Sequence, residues 1–250
     1  MSSANKKMIN NSEAVPVIDS NLFDGQSDYQ IALITHSPED ILSYKKDSIE
    51  EAALKLRWNV YGKKTGMLKK DIMRIDGTEI DKYDERSVHF TIAENRSMGK
   101  VAVFSCARMI LKNDEHGFDL PIEGFYPEAF QGPTNLGDFE ISRFIECHDD
   151  TKTAYFAKLL LMAAGLSYSE KNNLGSMYGV VEPVFARLLK IMGIPMDQIT
   201  EVKVLDDYND KNVGIKIDKD GAKKTVESKI GEIAMKKIFT SEENIVFLNS

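Results

Sequence analysis

The stretch from Asp138 to Met192 constrains this chain most, because it alternates two elements that must share one sheet. Asp138–Glu146 (DFEISRFIE) reads as a strand. Thr151 to Lys171 carries Tyr155, Leu159, Met162, Ala163 and Leu166 on one apolar face, which predicts a helix. Ser176–Val181 (SMYGVV) reads as a second strand, and Pro183–Met192 as a short helix closed by Gly193 and Pro195. Helices with apolar faces between strands are stable only when packed on the sheet those strands form.

The flanking elements extend that sheet. Tyr29–Thr35 (YQIALIT) predicts a strand, and Ser48-Ile49-Glu50-Glu51 has the form of a capping box that opens a helix. Leu54, Trp58 and Tyr61 share its buried stripe, and Gly62 and Gly66 break it. Ser87–Ala93 and Lys100–Leu111, separated by a turn-rich linker, predict an antiparallel hairpin. A Pro/Gly-rich loop runs from Asn113 to Gly137, strand-like segments recur at Glu201–Leu205 and Val213–Ile217, and Thr225–Phe239 is helical in pattern. This order fits an α/β, or α+β layered, domain: a central mixed sheet flanked by helices. The 250 residues suit a single core over 28–250. It follows a Ser-, Asn- and Asp-rich segment, 1–27, expected to be mobile or loosely docked.

Composition narrows the function classes. Apolar residues make up 42% and charged residues 28%, which excludes wholesale disorder and a coiled coil. A net charge of −7 argues against a nucleic-acid-coating surface. The longest uncharged apolar run, Leu159–Leu166, is far short of the roughly 18–20 residues that span a bilayer, and the first residues hold no apolar core of signal-peptide length. Cys106 and Cys147 cannot form a disulfide framework, and the four scattered histidines have no zinc-ligand spacing. The expectation is a cytoplasmic protein without a metal site.

Residues 55–74 are basic (Lys55, Arg57, Lys63, Lys64, Lys69, Lys70 and Arg74 against Asp71), and residues 75–85 reverse the sign. Within the acidic block, Glu79-x-Asp81-x-x-Asp84 places three carboxylates in six residues; they read as a cation or ammonium site, or as a solvated turn. Arg108 ends an apolar strand segment, so it either forms an internal ion pair or points into a cavity. Glu140-Ile141-Ser142-Arg143 lies in a strand whose regular pleat would send Glu140 and Arg143 to opposite faces. A β-bulge between them would bring both to one cleft, with Glu140 as general base and Arg143 as a positioning cation. A cross-strand salt bridge is the alternative.

Together, Arg57 with Tyr61, Asp81 with Asp84, Arg108, and Glu140 with Ser142 and Arg143 resemble the acyl-homoserine-lactone (autoinducer) synthase family over about residues 50–200. The stretch Phe185–Gly193 resembles that family's helix followed by glycine. The resemblance implies a GNAT-like acyltransferase fold. It also implies transfer of a fatty acyl chain from acyl carrier protein to the amine of S-adenosylmethionine, with no tightly bound cofactor. In that reading Glu140 and Arg143 are catalytic, while Arg57, Tyr61, Asp81, Asp84, Arg108 and Ser142 serve substrate binding. The family's Phe is replaced by Tyr61, and its Trp falls near Met67. The wording of residues 54–90 is also similar to N-acyl amino-acid synthases and to exosortase-associated acyltransferase-like proteins, which leaves the acceptor open. A non-catalytic binding module on the same fold is the third alternative.

Coenzyme-A-dependent enzymes of this fold bind pyrophosphate on a glycine-rich loop at a helix N-terminus. The equivalent Cys147–Ala154 has no glycine and two adjacent acids, Asp149 and Asp150. An acidic carrier protein fits better, docked on Lys63, Lys64, Lys69 and Lys70.

Overall fold

The computed structural model describes residues 11–26, 29–66, 68, 76–96, 98–112, 119–130, 133–206 and 210–249. Met67, Lys69 and Lys70 lie outside the described residues. The chain opens with α1 (Asn11–Ala14), β1 (Val17–Asp19), β2 (Ile31–His36), α2 (Pro38–Leu42) and α3 (Ile49–Arg57). A π-helix, Trp58–Lys64, continues α3. The hairpin β3 (Ser87–Asn95) and β4 (Lys100–Leu111) follows, then α4 (Pro121–Phe125) and β5 (Phe139–Glu146). The second half comprises α5 (Thr151–Lys171), β6 (Met177–Val181), α6 (Pro183–Ile191), β7 (Met196–Gln198), β8 (Lys203–Leu205) and β9 (Asp210–Ile217). It closes with α7 (Lys219–Ile230), α8 (Glu232–Thr240) and β10 (Ile245–Leu248).

The strands form one mixed sheet in the order β10-β2-β3-β4-β5-β6-β9-β7. Its one parallel pair among the described residues is β5–β6, joined by α5 as the crossover. Helices α5 to α8 cover one face, where Phe90, Met109, Leu160, Leu189, Ile215, Val226 and Ile238 meet in the main core. α3 covers the other face through Ala52, Ala53 and Leu56, packed on Ile34, Val103 and Ile145. The mixed sheet between helical layers matches the sequence expectation.

Two irregularities shape the middle of the sheet. First, β5 and β6 pair only from Phe139↔Met177 to Ile141↔Gly179, yet β5 runs on to Glu146 and β6 to Val181. The strands therefore part and leave a V-shaped cleft between them. Second, the β4–β5 register jumps between Arg108↔Ser142 and Cys106↔Ile145, so Arg143 and Phe144 oppose Ala107 alone. This is a β-bulge, and Arg143 sits in it with φ +51°, a left-handed conformation uncommon for a residue with a Cβ.

Several local expectations are corrected. Residues 11–26 are docked rather than loose: β1 pairs with Lys100–Ala102 of β4, beyond the part covered by β5, and Ala14 and Phe23 are buried. Ser48 caps α3 by accepting from the Glu51 amide, but the Glu51 carboxylate takes the Asp47 amide instead of closing the box on Ser48. The C-terminal helical stretch begins earlier and is split at Gly231, whose φ of +87° ends α7 before α8 begins. Tyr155, placed on the apolar face of α5, is 39% exposed, whereas Leu159, Met162, Ala163 and Leu166 of that face are buried.

Gly62 does not break the helix. It lies within π-helical turns, whose end is marked by the Thr65 amide donating to the Val60 carbonyl five residues back. The Trp58 ring lies over Gly62 so closely that a Cβ there would overlap it. Gly62→Ala should therefore lower unfolding stability by about 1–3 kcal/mol in urea titration, despite alanine's better helix propensity. Adding Trp58→Phe to that variant should recover part of the loss; simple additivity of the two changes would contradict the steric account.

Candidate active site

Three arginines and three carboxylates meet beneath the cleft. Arg57 ends α3, Glu79, Asp81 and Asp84 precede β3, Arg108 lies in β4, and Arg143 occupies the β5 bulge. Arg57 grips Asp84 with both terminal nitrogens, at 2.8 and 3.0 Å, and its Nε pairs with Glu79. Arg108 bonds Asp81 at 2.6 Å and Asp84 at 2.9 Å, and its Nε donates to the Ser142 hydroxyl at 3.0 Å. Arg143 bonds Glu79 at 2.8 Å and Asp81 at 3.1 Å. The Asp81 amide donates to Asp84, which closes the segment on itself.

Burial makes this arrangement electrostatically demanding. Arg57, Glu79, Asp84 and Arg108 are each at most 1% exposed. Burial alone would push the Glu79 carboxyl up, but Arg143 and Arg57 more than reverse that and hold it at about 2. Burial likewise opposes the charge of Asp84, yet Arg57 and Arg108 hold it well below its ordinary value. The reading of the acidic block as a solvated turn is thereby overturned. Glu79, Asp81 and Asp84 face arginines, and Asp84 is sealed from solvent between Arg57 and Arg108, with His89 3.3 Å away. The Asp81 side chain keeps 15% exposure and forms the rim of the cluster. Arg108 takes the internal ion pairs that were one of its two sequence readings.

Glu140 stands just above this cluster, on the same strand face as Ser142. The bulge turns Arg143 toward that face, and Glu140, Ser142 and Arg143 all line the cleft. The irregularity falls at Arg143 and Phe144, one step beyond the position anticipated between Glu140 and Arg143. Glu140 is 1% exposed, and one carboxylate oxygen accepts the Ile122 amide of α4 at 2.8 Å. Burial pushes its carboxyl up to about 8, against the pull of that amide and of Arg108. The rest of the cleft is largely apolar, with Phe144, Met162, Phe185, Leu189, Ile215 and Ile217 in its wall. Tyr61 enters from the π-helix, and its ring lies 5.4 Å from the Arg143 guanidinium.

Two participants escaped sequence reasoning. Glu79 stood in the acidic constellation without a role, although it bridges two arginines. The Ile122 amide lies in a stretch read as loop, and a backbone donor leaves no side-chain signal. Lys63 and Lys64 end the π-helix, and Lys63 bonds Asn59 at 2.9 Å. At the start of α5, Asp150 accepts from the Thr153 amide at 2.8 Å, so a side chain of the protein itself occupies that helix N-terminus. Among the described residues no group of three His, Cys, Asp or Glu could hold a metal, and no helix is long and apolar enough to cross a membrane.

The cluster has an acid signature. Because the folded-state value of Glu79 lies below its unfolded value of 4.5, its contribution to stability is complete above that pH and is lost as pH falls toward 2. Wild-type unfolding free energy should drop steeply over that window. Glu79→Gln should cost about 3–5 kcal/mol at neutral pH, since it strands buried guanidinium charge, and should flatten the slope between pH 4.5 and 2. Urea titrations at a series of pH values decide this, and an unchanged slope would remove Glu79 from the linkage.

Comparison with known proteins places this geometry. The autoinducer synthase family model matches residues 41–225. The acyl-homoserine lactone synthase LasI superposes with a TM-score of 0.59 at 20% identity, covering 80% of this chain and 96% of LasI. TofI, solved with an inhibitor and MTA, superposes with a TM-score of 0.56 at 16% identity, covering 81% and 98%. BjaI, a CoA-dependent acyl-homoserine lactone synthase solved with MTA, gives 0.59 at 16% identity, covering 81% and 89%. No curated protein sequence matches the chain. The fold is thus that of acyl-homoserine lactone synthases, a GNAT-like acyltransferase fold, as the resemblance implied. With the family model spanning most of its length, the chain belongs to the autoinducer synthase family, which comprises acyltransferase enzymes.

Proposed function

We propose that the protein moves a fatty acyl group from the thioester of acyl carrier protein to the amine of S-adenosylmethionine. The observation that carries this reading is a buried carboxylate, Glu140, beside a bulged strand at the head of an apolar cleft. The amine must be neutral to attack the thioester carbonyl, and Glu140, through a water, takes its proton. A strand amide at the bulge donates to the oxygen of the tetrahedral intermediate. The carbon–nitrogen bond forms, the carbon–sulfur bond breaks, and the thiolate takes up a proton. A carboxyl near 8 is well matched to return it, because a free thiol titrates near 8.5. Arg143 and Arg108 hold the strand and Ser142 in place, while Arg57, Asp81 and Asp84 fix the segment that borders the acceptor.

The carrier-protein donor is supported by the start of α5, where the Asp150 side chain caps the helix and would set a carboxylate against a pyrophosphate brought there. The relatives BjaI and MesI are described as CoA-dependent, so both donors belong in the test. A free amino acid is the second acceptor reading, favoured by Met67 at the place of the family's tryptophan.

Glu140→Gln should lower acyl transfer about 10²–10⁴-fold, and wild-type rate should rise with pH along a limb near 8. Its folded-state value lies above the unfolded 4.5, so stability falls as pH rises from 4.5 to 8; Glu140→Gln should remove that fall. A variant turning over within a few-fold of wild type would exclude Glu140 as the base.

Reversing charge at Lys63, Lys64, Lys69 and Lys70 should raise KM for acyl carrier protein, and added salt should do the same to the wild type. Mass spectrometry of products from each donor, offered S-adenosylmethionine or a panel of amino acids, identifies the acceptor. Equal use of acyl-coenzyme A, indifferent to salt and to the lysines, would rule out carrier docking.

A further inference from the structure

The amide that Glu140 accepts belongs to a helix too short to hold its own place. α4 has five residues, fewer than an isolated helix needs, and Pro121 at its start has no amide to offer, so Ile122 is the donor. The next residue, Glu123, ties α4 down. Its carboxylate accepts from the Leu120 amide and from the Thr134 amide, both at 2.6 Å. Lys112, the residue after β4, donates to its two oxygens at 2.8 and 3.0 Å and to the Thr134 hydroxyl at 3.0 Å. The Lys112 amide in turn donates to the Asp138 carbonyl at 3.1 Å, two residues before Glu140.

This pair is nearly sealed, with Lys112 8% and Glu123 9% exposed. Burial opposes the Glu123 charge, but Lys112 and the Thr134 and Leu120 amides hold the carboxyl below its ordinary value. Neither residue lines the cleft, and a buried ion pair is weak as a source of stability alone. Its geometric effect is specific: it joins the strand end beside β5 to the helix whose amide meets Glu140. The competing account is apolar packing, since the Ile122 side chain is buried in a cluster with Ile110, Tyr178 and Leu205.

We propose that Lys112 and Glu123 are positioning residues for acyl transfer: their ion pair anchors α4 to the end of β4 and so aims the Ile122 amide at the Glu140 carboxylate. The reaction that Glu140 serves rests on the acyl-transfer reading; the aim of the amide does not. Among the described residues, the charged and ionisable groups around Glu140 are Arg108 of β4, Tyr83 and Arg86 of the turn before β3, Glu123 of α4, and its β6 neighbour Tyr178. The Ile122 amide favours the ionised carboxylate and acts more strongly than the Glu123 charge, which disfavours it. Deleting Glu123 therefore has two effects of opposite sign. Loss of its field alone would draw the Glu140 carboxyl down, whereas loss of the amide would push it further up.

Two variants test this. Glu123→Ala removes every tie, and Lys112→Met combined with Glu123→Gln removes both charges without stranding either, so it is expected to keep the fold. Circular dichroism and urea titration check folding. The rate with an acyl thioester and an amine is followed against pH in wild type and variants, beside the ¹³C resonance of the Glu140 carboxyl, assigned by its loss in Glu140→Gln. The wild-type limb and resonance lie near 8. The proposal predicts that both move alkaline in the variants by about one pH unit, with a rate about 10-fold lower at pH 7 that recovers toward wild type above the new limb. A limb and resonance that stay, or that move acid as the lost field alone requires, would overturn it, as would an equal loss of rate at every pH. If Glu123→Ala does not fold, the charge-free variant decides; unfolding of both would make the pair a structural requirement and end its positioning role. An alkaline resonance with no acyl transfer by any of the proteins would leave the aim of the amide standing and defeat the acyl-transfer reading. Transfer with an unmoved resonance would do the reverse.

Discussion

The central constraint on this structure is the charge balance of a six-residue cluster buried under the cleft. Three guanidinium groups and three carboxylates from α3, the segment before β3, β4 and β5 satisfy one another almost without solvent. Removing one partner leaves a neighbour charged in a low-dielectric interior, so the elements bearing them are held in fixed relation. That requirement, more than added stability, explains why so polar a centre is useful. It sets α3 and its π-helical extension against the bulged strand, and so sets Tyr61 against Phe144.

The cleft above the cluster depends on two departures from regular sheet geometry. The parting of β5 and β6 exposes backbone and apolar side chains that a fully paired sheet would hide. The bulge reverses the pleat, so that consecutive residues Ser142 and Arg143 both serve the same side. Glu140 is then shielded by α4 and the sheet, and loss of solvent moves its carboxyl into the range where it can both take and return a proton. Burial pushes the carboxyls of Glu79, Asp84 and Glu140 up alike, and their neighbours decide the outcome. Glu79 and Asp84 are flanked by cations and stay ionised, whereas Glu140 has chiefly an amide and a more distant field.

Much of this was legible in the chain. The apolar periodicity of 151–171 and the alternating runs at 87–93, 100–111 and 138–146 were enough to set helix and strands, because burial of those faces leaves few other solutions. β8 falls within the strand-like segment read at 201–205, but β7 and β10 were not legible. β10 has four residues and β7 three, and each is a strand only because β2 or β9 offers it an open edge. The docking of residues 11–26 has the same cause, since β1 fills the length of β4 that β5 leaves uncovered.

By itself, the sequence determined the layered fold class and pointed to Arg57, Asp81, Asp84, Arg108, Glu140, Ser142 and Arg143, which the fold brings together at and beneath the cleft. Tertiary structure decided what each of them faces. Whether an acidic run is solvated or sealed, and whether a carboxyl titrates near 2 or near 8, depends on groups from other elements, such as Arg143, 64 residues from Glu79, and the Ile122 amide, 18 residues from Glu140. Those contacts exist only once the sheet has assembled, because desolvation and Coulomb fields act through space and leave no trace in local residue order.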